Sequence, residues 1–440
     1  MRFFKKIPLH LWVALSNWLS RAGSVSAQLV CLPLLTTLLT PKEFAAYAIA
    51  VSLMTWYQLS DFGFGNSTQN HIAEARAHNN DIGPLIAATS LLGAAVLALA
   101  VILLIPGSLL LNQLLLRPIN LPDAVHPQLM LWMSGVLLVG FALGTMAQKM
   151  LYAMQKGVYA NLLGLFNSLG FLGLLWGVAR DADLSERLLA CVLAYTLPMG
   201  LTGIVSLSWL AYKYGHWDWH AIKNCLGLSR VRAWRFWLFA FLAACTLNVD
   251  YVIMSRTLSA EDIGVYNVLF RVYWVGMALY SGLLTATWSV FTALGAQGDF
   301  VAIGRQIRLY LLSGMGALIL GSAVMAIFLP EIMQLLAPGL NIQVTYLTLA
   351  LFTTYIAFRI WTDTYAVALQ ALSEVNVFLI IVPVQALVSI TGQWFLSKAF
   401  GLNGILMGLI LSFVLTVAWL LPYQLKQRFR VNSAAVTLPL

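Results

Sequence analysis

The sequence predicts an all-α polytopic membrane protein with twelve transmembrane helices in two six-helix lobes, related by an internal parallel repeat. Three observations predict this fold class: the composition, the number of long apolar runs, and a match between the two halves. Of the 440 residues, 60% are hydrophobic and only 9% are charged, whereas soluble proteins carry about 25% charged residues. Such a composition cannot solvate the surface, so most of it must face lipid. A cytosolic enzyme is excluded.

Twelve apolar runs are long enough for a spanning helix, which needs about 20 residues. They cover residues 11–37, 44–66, 83–106, 127–148, 158–178, 188–211, 235–257, 263–293, 309–329, 344–369, 376–397 and 401–423. The first run is too long for the apolar part of a signal peptide and lacks a small-residue cleavage site followed by a soluble domain. We therefore expect it to be retained as a membrane span.

The distribution of Lys and Arg predicts the orientation of these spans. With the N-terminus in the cytoplasm, most basic residues fall in cytoplasmic segments, as the positive-inside rule requires. An even number of spans then returns the C-terminus, with Lys426, Arg428 and Arg430, to the cytoplasm. The net charge of +9 is thus explained by topology, and a nucleic-acid partner is not indicated.

The two halves of the chain share a sequence match. Residues 39–47 resemble residues 258–266, and residues 151–156 more weakly resemble residues 369–374, at nearly the same offset. Six spans per repeat keep one orientation, which predicts two bundles related by an axis along the membrane normal, with a cleft between them. The alternative is chance similarity of short apolar segments. We predict an N-lobe over 1–212, a linker over 213–235 and a C-lobe over 236–440.

The predicted linker combines aromatic and basic residues, namely Trp217, Trp219, Lys223, Arg230 and Arg232. This combination is typical of a segment lying on the anionic inner leaflet. A metal site formed by His216, Asp218 and His220 is the less favoured alternative, because the neighbouring residues are those of the headgroup level.

Away from the span ends, six charged residues fall inside predicted spans, and each must face a cavity or a partner because lipid solvates charge poorly. They are Arg21, Asp61, Asp250, Arg271, Arg359 and Asp363. At 1.5 Å per residue, Arg21 lies about 15 Å and Arg271 about 13 Å from the nearest span end, close to the midplane. These two are the best-placed cations.

Each of these charges also has a purely structural alternative. Arg359 and Asp363 lie one helical turn apart and can pair with each other. Asp250 can neutralise Arg271 on the next span, and Arg21 can meet either Asp61 or an anion from outside. These alternatives stay open at the level of the sequence.

The internal repeat does not extend to the charges. The position equivalent to Arg21 is Ala240, and the position equivalent to Arg271 is Ser52. Such asymmetry is expected where one asymmetric ligand binds between two similar lobes. Guanidinium groups bond two phosphate oxygens at once, so we hypothesise an anionic, phosphorylated ligand.

Three motifs give the chain a family resemblance. Residues 59–65 (LSDFGFG), residues 248–250 (NVD) and residues 264–266 (GVY) resemble those of the polysaccharide-transport (Wzx-type, O-antigen) flippases. These belong to the multidrug/oligosaccharidyl-lipid/polysaccharide exporter (MOP) superfamily. The span count, length and repeat resemble that family along the whole chain, while the motifs themselves are short.

The resemblance implies a function and a set of site residues. It implies a flippase of the bacterial inner membrane that moves undecaprenyl-pyrophosphate-linked oligosaccharide to the outer leaflet without a cofactor, driven by a proton or sodium gradient. Membrane lipids and other polysaccharide-assembly membrane proteins are the further partners expected. The pyrophosphate would bind Arg21, Arg271 and Arg359; the candidates for ion coupling or salt bridges are Asp250, Asp61 and Asp363; the candidate sugar contacts are Gln28, Gln58 and Asn248.

Two other functions remain as alternatives. A multidrug exporter of the same superfamily, coupled to protons or sodium, would share the repeat, but its cationic ligands favour unpaired acids, whereas here three arginines accompany three aspartates. A membrane polymerase or ligase would need a large external loop. The longest predicted outside segment, residues 107–126, contains Pro118, Pro122 and a single Arg117, is followed directly by Pro127, and shows no catalytic constellation. Enzyme activity is not predicted.

Overall fold

The computed structural model describes residues 9–122, 126–181, 186–338, 344–372 and 376–436. No β-strand occurs among these residues, so the predicted all-α class is confirmed. The helices are α1 (Leu9–Leu38), α2 (Pro41–Ser52), α3 (Met54–Gln58), α4 (Phe64–Ala77), α5 (Gly83–Leu111), α6 (Pro127–Ala153), α7 (Gly157–Arg180), α8 (Arg187–Tyr214), α9 (Trp219–Leu247), α10 (Asp250–Thr257), α11 (Ala260–Ala296), α12 (Phe300–Ile327), α13 (Leu329–Leu336), α14 (Tyr346–Ala371), α15 (Asn376–Leu415) and α16 (Val417–Val436).

Eight helical runs of the described chain are long and apolar enough to cross a membrane. Seven of them correspond to the third to ninth predicted spans, and one continuous run, Val377–Arg430, covers the last two. Helices α1 and α14 are also long, with 30 and 26 residues, but they carry polar side chains that include Arg21 and Arg359. The count of twelve spans therefore stays a prediction.

The boundary between the last two predicted spans is a sharp bend at Gly401. Its φ of 58° and ψ of −134° belong to a region that is open to glycine and closed to most other residues. Beyond the bend the backbone returns close to itself, because a Cβ on Gly408 would lie 2.4 Å from the Gln393 nitrogen. The predicted break between residues 397 and 401 is confirmed.

Two predicted spans contain short breaks in the helix, although the second of them still lies within one apolar run, Arg232–Thr257. Residues 44–66 bend at Phe62 and Gly63, whose φ values are 46° and 75°, and residues 235–257 break between α9 and α10. In both places an aspartate carboxylate accepts a hydrogen bond from a backbone nitrogen close to the break. Asp61 Oδ1 accepts from the Gly63 nitrogen at 2.8 Å, and Asp250 Oδ1 accepts from the Tyr251 nitrogen at 2.9 Å. Such local bonds offer the chain an alternative to the helix.

The chain divides into two compact units, Met1–Ala244 and Cys245–Leu440, and the division falls within α9. We call them unit 1 and unit 2. Helix α9 begins inside the predicted linker, at Trp219, and continues beyond it. The limits predicted for the two lobes and the linker stay a prediction.

Close helix packing inside unit 1 depends on small residues. A Cβ on Gly203 of α8 would lie 2.1 Å from the Gly140 oxygen of α6, and one on Gly144 would lie 2.8 Å from the Gly203 Cα. Glycines let the two backbones approach, as is common between membrane helices. This contact anchors α6, which carries part of the candidate site of unit 1.

The stronger sequence match between the halves corresponds to the same local structure. Thr40 caps α2 together with Glu43, because the Glu43 nitrogen donates to the Thr40 hydroxyl and the Thr40 nitrogen donates to Glu43 Oε2 at 2.9 Å. At the equivalent place in unit 2, the Asp262 nitrogen donates to the Ser259 hydroxyl at 3.1 Å. The repeated letters therefore encode a helix start. The weaker match lies partly outside the described residues, because it includes residues 373 and 374.

Candidate functional site

In unit 1 the predicted site cation, Arg21, lies on the middle of α1 and is half-buried. Its Nε donates a hydrogen bond to Asn17 Oδ1 at 3.1 Å, one turn earlier on the helix. Its charge also acts on the phenol of Tyr152 on α6. The neutral Asn17 side chain thus helps to orient the guanidinium from the same helix.

A polar cluster beside Arg21 joins three helices through Asn161 of α7, which is 6% exposed. Its amide nitrogen donates to the Ser16 hydroxyl at 2.8 Å, and its backbone oxygen accepts from the Ser20 hydroxyl at 2.5 Å. Its amide oxygen accepts from the phenol of Tyr152. Buried polar groups that are fully bonded fix one arrangement of the helices around them. This cluster therefore fixes the part of α1 that carries Arg21.

Asp61 has a partner that the sequence did not suggest. Its Oδ2 accepts a hydrogen bond from the Lys149 ammonium group at 3.2 Å. The predicted span ends at residue 148, which placed Lys149 in a loop, whereas α6 continues to Ala153. The apolar pattern of residues 150–153 is the sequence signal that could have extended the helix. Asp61 thus contributes to a structural ion pair, and its role in ion coupling stays a prediction.

The candidate sugar contacts of unit 1 are both half-buried. Gln28 lies on α1 and Gln58 ends α3. Their contact with sugar stays a prediction.

In unit 2 the carboxylate of Asp250 is 3% exposed and lies at the start of α10. Its Oδ2 accepts a hydrogen bond from the phenol of Tyr266 on α11. A parallel bond joins the next residues of the two helices, because the Asn267 amide nitrogen donates to the Tyr251 phenol oxygen at 2.7 Å. Asn248, the third candidate sugar contact, lies in the break between α9 and α10, directly after Leu247.

The other predicted charges of unit 2 belong to the same neighbourhood. Arg271 lies one turn after Asn267 on α11, and its charge acts on the phenol of Tyr251. On α14 the predicted pairing is present, with Arg359 Nη2 at 3.4 Å from Asp363 Oδ2.

The phenol of Tyr355 is a direct partner of Arg359. Arg359 Nη1 donates to this phenol at 3.4 Å, and the charges of Arg359 and Asp250 both act on it. Asp250 and Arg359 are thus each bonded to a phenol of unit 2, Asp250 to Tyr266 and Arg359 to Tyr355.

A buried polar stripe on α15 was not predicted from the sequence. Gln385, Ser389, Gln393 and Ser397 recur every fourth residue, and none of them is more than 6% exposed. The Ser389 hydroxyl donates to the Thr246 oxygen at 3.0 Å, close to the break that follows α9. The spacing of four polar residues within an apolar run was the signal available. The stripe therefore bonds a backbone oxygen in the last turn of α9.

Two ion pairs outside the predicted spans join residues of the predicted linker to the segment between the second and third predicted spans. The hydrogen bond from Arg232, at 2.6 Å, lowers the pKa of the Glu74 carboxyl. His216 lies 3.0 Å from Asp81 and lowers the pKa of that carboxyl. The described residues contain no group of three His, Cys, Asp or Glu side chains arranged to hold a metal ion.

Comparison with known proteins shows what this chain is similar to. The model of a family described as polysaccharide biosynthesis protein matches residues 14–291. A putative O-antigen transporter of Salmonella typhimurium is 30% identical over 420 residues, which is 95% of this chain and 96% of the relative.

Two solved structures of transporters share the fold. An inward-facing multidrug resistance MATE family transporter of the MOP superfamily gives a TM-score of 0.72 at 13% identity and covers 96% of this chain and 99% of its own. The lipid II flippase MurJ, in its inward closed conformation, gives 0.72 at 11% identity and covers 96% of this chain and 90% of its own. At such low identity the likeness establishes the MOP-type fold and leaves the ligand open.

Proposed function

The chain belongs to the polysaccharide biosynthesis protein family, and from that premise we propose that it is a flippase for lipid-linked polysaccharide precursors. The observation that carries this proposal is the similarity to a putative O-antigen transporter along 95% of the chain. The relative is named as a transporter, so transport and not catalysis is the activity proposed. The apolar helices support a multi-pass membrane protein.

The ligand is an oligosaccharide carried on undecaprenyl pyrophosphate. The arginines support an anionic headgroup, because Arg21 in unit 1 and Arg271 and Arg359 in unit 2 lie on helices within the predicted membrane region. Phosphate oxygens match the planar fork of a guanidinium group. The lipid tail would stay in the bilayer while the polar part moves to the outer leaflet.

Ion coupling is assigned to Asp250. Its carboxylate is buried among phenols, and a buried acid responds to binding of a proton or sodium ion by a change in local charge. Alternating access would then link that change to the movement of the ligand.

The protein resides in the bacterial inner membrane, with both termini in the cytoplasm. The distribution of Lys and Arg supports this orientation. Membrane lipids and other membrane proteins of polysaccharide assembly complete the proposed partners.

The test uses a bacterial strain that lacks its own transporter and is complemented with this chain. Arg21→Ala and Arg271→Ala should each abolish surface polysaccharide while lipid-linked repeat units accumulate and the protein still inserts. Arg21→Lys and Arg271→Lys should retain partial function, because charge persists without the fork. The matched control is Arg180→Ala, an exposed cation at the end of α7, which should export normally.

Two results would contradict the proposal. Normal surface polysaccharide in both alanine variants would remove the pyrophosphate role of the arginines. Failure of the unaltered chain to restore polysaccharide, combined with resistance to cationic drugs, would favour the multidrug exporter instead.

A further inference from the structure

Four aromatic rings of unit 1 stack into one array at the surface, which we call the aromatic ladder. It consists of Phe62 and of Trp234, Trp237 and Phe241 on α9. The Trp234 and Trp237 rings have centroids 5.2 Å apart and planes 22° apart, and the Trp237 and Phe241 rings follow at 5.3 Å and 14°. Phe62 stacks on Trp237 at 6.5 Å and 26°. Each ring therefore contacts a neighbour in the same stacked series.

The ladder is held rigidly by the backbone beneath it. The Trp237 indole nitrogen donates to the Leu59 oxygen at 3.0 Å. Gly63 packs so closely that a Cβ there would lie 2.2 Å from the Ala233 oxygen. Asp61 fixes the same turn from the other side, since it bonds both the Gly63 nitrogen and the Lys149 ammonium group. Asp61 thus acts as a positioning residue for Phe62.

The turn at Phe62 exposes the phenylalanine ring at the surface although the backbone conformation of this residue is unfavourable. Phe62 has a φ of 46°, in the left-handed region that bulky side chains rarely adopt. Its side chain is nevertheless 49% exposed, and Trp234 is 59% exposed, so burial of these rings does not account for the conformation. Strained residues that the surroundings hold in place occur most often at binding sites.

The composition of the surface indicates what it binds. The faces of aromatic rings carry negative partial charge, and the C–H groups on one side of a pyranose ring carry positive partial charge, so the two stack. Exposed Arg230 lies one turn before Trp234, and exposed Arg235 follows it directly. Ring faces bordered by guanidinium groups match a sugar joined to a phosphate.

We propose that the aromatic ladder is a carbohydrate-stacking site that receives the first sugars of the lipid-linked oligosaccharide. This inference rests on the proposed function and adds to it a sugar-recognition surface formed by unit 1 alone. An ordinary membrane-interface anchor needs only an apolar ring with a polar tip. Four stacked rings and a strained turn that holds one of them are not needed for such an anchor.

The test measures binding of two probes to the purified full chain in detergent. One probe is undecaprenyl pyrophosphate carrying the repeat-unit oligosaccharide, and the other is undecaprenyl pyrophosphate without sugar. The variants are Trp234→Ala, the conservative Trp234→Phe, and the control Trp219→Ala on the same helix, whose side chain is 68% exposed. Phe62→Ala serves as a second variant that leaves α9 unchanged.

The unaltered chain should bind the sugar-bearing probe more tightly than the bare one. Trp234→Ala and Phe62→Ala should weaken binding of the sugar-bearing probe by about three- to tenfold, as expected for one lost stacking contact, and should leave the bare probe unaffected. Trp234→Phe should restore most of the difference, and Trp219→Ala should change neither affinity.

Each other outcome overturns the inference in a distinguishable way. If Trp234→Ala and Phe62→Ala weaken the binding of both probes equally, or of neither probe, the ladder is a membrane anchor. The flippase proposal survives that result. If the unaltered chain binds neither probe, the proposed function fails and the carbohydrate site fails with it.

Discussion

Tyr266 donates its phenol hydrogen bond to the carboxylate of Asp250, sixteen residues earlier in the chain and on the preceding helix. The residues equivalent to this pair in the first half are Tyr47 and Cys31, and both are fully buried. The tyrosine is thus repeated, whereas the acid is replaced by a thiol. The same position of the repeat thus carries an acidic residue, Asp250, in unit 2 and a cysteine, Cys31, in unit 1.

The first prediction concerns the bond itself. Tyr266→Phe should destabilise the protein by about 1–3 kcal/mol, because a buried carboxylate loses its donor. On an Asp250→Asn background the same change should matter less, because a neutral amide is a weaker acceptor than a carboxylate. The measurement is apparent Tm in detergent for the two single variants and the double variant. Equal losses in both backgrounds would show that the two side chains are not coupled.

The second prediction separates the two acids near helix breaks. Asp61→Asn should lower stability by about 1–2 kcal/mol through loss of the charged hydrogen bond from Lys149, and transport should keep its dependence on the ion gradient. Asp250→Asn should remove that dependence with the protein still folded. Uptake into vesicles with and without an imposed gradient measures both. Equal gradient sensitivity in Asp250→Asn and the unaltered protein would assign coupling elsewhere.

The third prediction tests the close contact of α6 and α8. Gly203→Ala should destabilise unit 1 by about 1–3 kcal/mol or more, because its Cβ would overlap the Gly140 oxygen and force the helices apart. The control is Gly177→Ala on α7, where a Cβ would meet nothing within 4 Å. The folded fraction after extraction into detergent should fall for Gly203→Ala only. A similar fall in both variants would show that the close approach at Gly203 does not decide the outcome, because the higher helix propensity of alanine acts in the opposite direction.

The sequence predicted the helical class and the helix break at Gly401, because apolar runs and glycine act locally. The sequence match between the halves also included the capping residues, since Thr40 and Ser259 occupy equivalent positions. The partner of Asp61 was not predictable, because its ion pair with Lys149 joins residues 88 positions apart. Such a contact depends on how helices pack, which periodicity along one helix does not encode.

The candidate site shows the same division between local and distant contacts. The pairing of Arg359 with Asp363 followed from a spacing of four residues and is present at 3.4 Å. The hydrogen bond from the Tyr266 phenol to Asp250 joins side chains on two different helices. A tyrosine in an apolar run gives no sequence signal that it faces a charge, so this link needed the structure.

The fourth prediction asks whether Arg359 binds ligand or only pairs with Asp363. The two side chains are 14% and 35% exposed, so each retains some access to water and their mutual attraction is partly screened. If pairing is the whole role, Arg359→Gln combined with Asp363→Asn should restore the export that either single change reduces, because no charge is left without a partner. If Arg359 also binds phosphate, the double variant should stay defective.

We expect the double variant to stay defective, because the Arg359 guanidinium also bonds the phenol of Tyr355 and a neutral glutamine could not bind phosphate as a guanidinium does. Asp363→Asn alone should keep most export, since Arg359 would retain both its charge and the bond from its Nη1 to Tyr355. The measurement is the amount of surface polysaccharide per inserted protein. Full recovery in the double variant would reduce Arg359 to a structural residue and leave Arg271 as the phosphate-binding cation of unit 2.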